Sequence, residues 1–151
     1  MLIQAGLTFP WRLIPAASMV THNTGSSAAS AKVQEWYSEC LSSHIACHSD
    51  ARTPLPTRVI HIQGPNKVRL YSTDTEYADY ACLSYCWGQQ SFIRTTKTTL
   101  EQYTLDIPWK ELPLAFQDAI RVANKIGFKY LWIDSLCQYH SIVVNQSLEY
   151  N

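Results

Sequence analysis

Two short apolar runs decide the fold: Tyr80-Ala81-Cys82-Leu83-Ser84-Tyr85-Cys86-Trp87 and Lys129-Tyr130-Leu131-Trp132-Ile133-Asp134. Each has strand length rather than helix length, and Gly88 stops the first. Such a run reads as a strand buried on both faces. Between them, a loop rich in Thr and Gln extends to about Ile107, and Pro113 sits where the first turn of a helix tolerates proline. Phe116, Ala119, Ile120 and Ala123 mark one face of that helix, and Gly127 fits the residue just past its end. Strand, helical connection and strand make a βαβ unit, with a crossover long enough for the strands to run parallel. Open parallel sheets bind ligands beyond the carboxyl ends of their strands. Here those ends carry Ser84, Tyr85, Cys86, Trp87 and Gly88 on one strand and Asp134, Ser135 and Cys137 on the other. Neighbouring strands would set the two groups side by side.

Upstream, Thr57 to Ile62 and Lys67 to Ser72 are rich in β-branched residues and flank Gly64-Pro65-Asn66, which predicts a hairpin. Before it, Val33, Trp36, Tyr37, Cys40, Leu41, His44, Ile45 and Cys47 recur at steps of three and four. That stripe predicts an amphipathic helix capped by Ser30 and ended by Pro54 and Pro56. Residues 1–30 read as an irregular arm, and 31–79 as a helix plus hairpin preceding the domain.

The chain has 151 residues, 46% hydrophobic and 16% charged, and its formal net charge is zero. No basic field is available to attract nucleic acid, and the apolar share argues against disorder throughout. Few charges and no net charge predict poor solubility, as for a surface meant to be covered. The apolar start is broken by Pro10, Arg12 and Pro15, so neither a signal peptide nor a membrane span is expected. The five cysteines are an odd count without a disulfide spacing, and a reducing, cytoplasmic location is the expectation.

Four groups of residues bear on chemistry. Cys40, His44 and Cys47 share one helical stripe, with His48 one residue on; thiolates and imidazoles suit zinc. Paired C-x-x-C half-sites are absent, and the same stripe holds Val33, Trp36 and Leu41, so a buried face is the simpler account and no metal is favoured. Cys86 and Cys137 stand where a nucleophile could work, but no motif places His61 or His140 beside them, and buried small hydrophobes are the simpler reading. Asp134 ends a very apolar strand and is either a site residue or a cap for the next turn. With Ser84, Tyr85, Cys86 and Cys137 nearby it is the best catalytic candidate. Asp118 reads as a solvated or structural partner on the helix, and Trp87-Gly88 as a turn with a packed indole. Unclustered glycines exclude the dinucleotide fingerprint and the phosphate loop.

The block Ala81-Cys82-Leu83-Ser84-Tyr85-Cys86-Trp87-Gly88 resembles the opening strand of the fungal heterokaryon incompatibility (HET) domain. Leu112-Pro113 through Asp118-Ala119-Ile120 is similar to that family's LP-x-x-x-x-DAI helix, and Gly127 through Cys137 to its G-x-x-YLWIDSLC strand. Trp36, Cys40, His44, Cys47 and Leu55 through Ile60 resemble a segment that often precedes the domain. The resemblance implies nonself recognition and programmed cell death in fungi. It also implies a TIR-like, flavodoxin-like parallel sheet, here one incomplete βαβ unit. Residues 80–137 then form the front part of the domain and 138–151 a divergent tail. The expectation is a truncated or misread gene model, inactive as it stands, which a spliced transcript ending at Asn151 would overturn. Protein partners or self-association are expected, with no cofactor. The alternative is a TIR-like enzyme hydrolysing NAD, for which Glu101 and Glu111 match no motif.

Overall fold

The computed structural model describes residues 23–47, 53–87 and 93–140. The helix of the first stripe, α1, spans Ser27–Ser43 and starts earlier than expected. Its cap is Ser26, not Ser30: the Ser26 hydroxyl accepts from the Ala29 N–H at 3.1 Å. The hairpin forms as read, with β1 at Arg58–Gly64 and β2 at Lys67–Ser72 paired antiparallel about Pro65 and Asn66. Strand β3 is Ala81–Cys82, helix α2 is Leu100–Leu105, helix α3 is Leu114–Ile126, strand β4 is Tyr130–Trp132 and helix α4 is Asp134–Cys137. The loop expected before α3 therefore contains α2, whose Tyr103 is buried.

The parallel pairing holds: Ala81 faces Leu131 and Cys82 faces Trp132. The architecture is mixed α/β. The hairpin is not a separate preceding element, because β1 pairs antiparallel with β4 through Ile60–Leu131 and His61–Tyr130. The sheet order is β2-β1-β4-β3, one parallel and two antiparallel pairings.

The register sorts the side chains into two faces. Ile60, Ile62, Val68, Leu70, Leu131 and Ala81 share one face, on which Tyr103, Ile107, Leu112, Phe116, Ile120 and Ala123 complete the core. Helix α3 is an amphipathic segment with Phe116, Ile120 and Ala123 buried, and it ends at Gly127 in the left-handed region (φ 106°). The Gly127 and Phe128 N–H groups both donate to the Ala123 carbonyl there. The other sheet face carries His61, Arg69, Tyr71, Tyr130 and Trp132.

The expectation that β3 is buried on both faces fails. Cys82, Ser84, Cys86 and Trp87 are exposed, while Ala81, Leu83 and Tyr85 pack on the core. Among the described residues β3 is the edge of the sheet, and only the face carrying Ala81, Leu83 and Tyr85 is packed. The hairpin also widens the sheet beyond the two strands of the expected incomplete βαβ unit. Four strands and three helices enclose one hydrophobic cluster. No helix among the described residues is long and apolar enough to cross a membrane.

Candidate functional site

The carboxyl ends of β3 and β4 do lie side by side. Leu83 N–H donates to the Trp132 carbonyl at 2.9 Å, which extends the pairing beyond β3. Strand alternation then turns Tyr85 and Trp87 to the side of Asp134 and Ser84 and Cys86 to the opposite, exposed side. Both carboxylate oxygens of Asp134 are engaged. One carboxylate oxygen accepts the N–H of the next residue, Ser135, at 2.6 Å within the first turn of α4, and the other accepts the Trp87 indole N–H at 2.6 Å.

Around Trp87 the polar and aromatic groups converge. Tyr85 stacks on it at 6.5 Å with planes 8° apart and meets buried Phe116 edge-on at 4.9 Å. The Arg94 guanidinium lies 5.8 Å from the indole, and the His140 ring lies 5.4 Å away at a steep angle. Burial, together with the Asp134 carboxylate, pushes the Tyr85 phenol up to about 12.

The loop containing Arg94 is held by backbone bonds. Thr95 N–H donates to the Ser135 carbonyl, Thr95 Oγ1 to the Leu136 carbonyl, and His140 N–H to the Thr95 carbonyl. Arg94 and Thr95 are the members that sequence reasoning missed, while Trp87 was read as a packed indole in a turn and His140 had no motif to place it. Trp87 sits at the end of a recognised run and was within reach. Arg94, Thr95 and His140 lie in irregular segments where no periodicity points to them.

The other candidates separate. Cys137 is buried in the core, where burial pushes its thiol up to about 12, in keeping with the small-hydrophobe reading. Cys86 does not fit that reading, because it is exposed. His61 lies on the second sheet face between Tyr71 and Tyr130, with ring centroids 5.9 and 5.4 Å away, and serves neither thiol. Its pKa is lowered by partial burial and by Arg69 and Lys129. His140 turns Nε2 toward the Asp134 carbonyl at 3.4 Å. Asp118 makes an exposed ion pair with Arg121 at 3.1 Å.

The first stripe is not a buried face: α1 has no buried residue, and Trp36 is 57% exposed. Cys40, His44 and Cys47 instead come together, with all their ligand atoms within 4.8 Å of one another. His48, Gly88 and residues 141–151 lie outside the described residues.

Residues 80–146 match the family model of the heterokaryon incompatibility protein (HET). The match covers this segment, less than half of the 151-residue chain. The matched segment runs from Tyr80 past Cys137 to residue 146. It holds β3, α2, α3, β4 and α4, so the hairpin that joins its sheet comes from outside the matched region. No curated protein and no solved structure matches the chain.

Proposed function

We propose that this chain acts in heterokaryon incompatibility through protein contacts, in fungal nonself recognition leading to cell death. The observation that carries this reading is the use of Asp134. The carboxylate at the strand ends is engaged on both oxygens, and its effect is to hold the Trp87 indole at the surface beside Tyr85, Arg94 and His140. An anchored aromatic flanked by a guanidinium is the composition of a contact hot spot. The thiols at the strand ends are poorly placed for chemistry, one buried and one turned away. The match of residues 80–146 to the HET family model supports the biological context. A cytoplasmic place of action is part of the same proposal. The β3–α3–β4 crossover is the element that would support a wider TIR-like sheet.

Expression in a filamentous fungus with follow-up of growth arrest tests the proposal. Trp87→Ala is expected to abolish the death response at unchanged protein level, and Trp87→Phe to retain part of it. A Trp87→Ala chain that kills like the parent would sink the reading.

A further inference from the structure

The cluster at the end of α1 has no part in the strand-end site. Cys40, His44 and Cys47 stand at positions i, i+4 and i+7, all on one helical stripe. The helix itself stops at Ser43, and the backbone keeps the stripe together beyond that point. The His44 N–H donates to the Cys40 carbonyl at 3.2 Å, which sets His44 one turn above Cys40. A 3-10 turn over Ile45–Cys47 follows, with the Cys47 N–H on the His44 carbonyl at 2.9 Å. The turn brings the Cys47 sulfur to 3.0 Å from that of Cys40.

That separation is too long for a disulfide, whose sulfurs lie about 2.05 Å apart. Both cysteines are half-buried and His44 is exposed, so the cluster can be reached from solvent. Two sulfurs and an imidazole form a borderline-soft donor set that hard cations such as magnesium and calcium do not favour. A zinc ion bound at about 2.3 Å to each thiolate would hold tetrahedral sulfurs about 3.8 Å apart. The sulfurs need only move apart, and the imidazole swing in, by roughly an ångström of side-chain rotation.

We propose that Cys40, His44 and Cys47 form a zinc site that closes the end of α1. The three residues leave a fourth coordination position for water or another ligand. Zinc binding displaces a proton from each thiol and leaves the imidazole neutral, with no change of oxidation state. Physically, the ion supplies what α1 lacks. The helix buries no side chain of its own, and its attachments to the sheet domain lie away from the cluster: the Gln34 amide on the Lys125 carbonyl, Tyr37 against Phe128 and, just before the helix, Lys125 on the Gly25 carbonyl. A metal at its last turn would fix the direction in which the chain leaves for the hairpin.

The test is metal analysis and cobalt substitution of the full chain, purified under reducing conditions. One equivalent of zinc per chain is expected, and one equivalent of cobalt should give intense tetrahedral visible bands with thiolate-to-cobalt charge transfer. Cys40→Ser and Cys47→Ser should each weaken zinc binding at least tenfold, whereas Cys86→Ser, away from the cluster, should leave it unchanged. His44→Cys should keep one equivalent bound and strengthen the charge-transfer band, which guards against variants that merely misfold. Sub-stoichiometric zinc after reconstitution overturns the proposal. So does cobalt binding that survives loss of both cysteines, or a Cys40–Cys47 disulfide that persists with zinc and reductant present.

Discussion

Helices α1 and α3 both repeat apolar residues at steps of three and four, far more sharply segregated in α3, and the protein uses them in opposite ways. In α3 the stripe of Phe116, Ile120 and Ala123 is buried against β1 and β4 and forms part of the core. In α1 the stripe holds Trp36, Tyr37 and Leu41 at or near the surface and gathers Cys40, His44 and Cys47 at one end. A periodic stripe says that one face differs from the other. It does not say what meets that face. For α3 it is the sheet, through β1, β4 and Tyr85 beyond β3; for α1 it is the C-terminal end of α3.

The largest expected effect lies in α3. Phe116 is 1% exposed, and Phe116→Ala should cost about 3–5 kcal/mol in chemical denaturation. A loss below about 1 kcal/mol would mean that the core does not form around it. Asp134→Asn comes next. It keeps one acceptor for Ser135 but sets an amide N–H against the Trp87 indole, and should cost about 1–3 kcal/mol. Its emission should change in the same direction as that of Trp87→Phe relative to the parent chain; unchanged emission would break the assignment.

Cys137 sharpens the contrast through pH. Its thiol is raised from 9.0 to about 12 in the folded chain, chiefly by burial. The unfolded chain therefore releases this proton first as pH rises. The stability contribution is complete below pH 9 and is lost between about 9 and 12, with a slope of at most about 1.4 kcal/mol per pH unit. Cys137→Ala should flatten that slope. At pH 8 a thiol reagent should label Cys86 in the native chain and Cys137 only after unfolding; prompt native labelling of Cys137 would contradict its burial. The smallest effect belongs to α1, where Trp36→Ala should stay within about 0.5 kcal/mol. A larger loss would show that the exposed face of α1 is packed in solution.

The legible parts of the site were those held by local rules. Asp134 stood out as a carboxylate ending an apolar run, and its position beside Tyr85 followed from pairing two recognisable strands. Ser84 and Cys86 were grouped with it because an apolar run without alternation hides which side chains share a face. Edge position, with Tyr85 on the core and its neighbours outside, separates them. Thr95 and His140 reach the site through bonds to backbone carbonyls, of α4 for Thr95 and of Thr95 for His140, and such acceptors leave no trace in residue type.

By itself, the amino-acid order determined the local elements: the α3 face and its Gly127 stop, the hairpin turn, the parallel pairing of two apolar runs and the family model that they match. Those follow from periodicity, backbone freedom and motif. Tertiary structure alone decided that the hairpin completes the sheet beside β4 and that β3 is an edge. It also decided that the stripe of α1 gathers ligands instead of core. Burial depends on which surfaces meet, and meeting is settled by the whole chain's competition for one apolar interior.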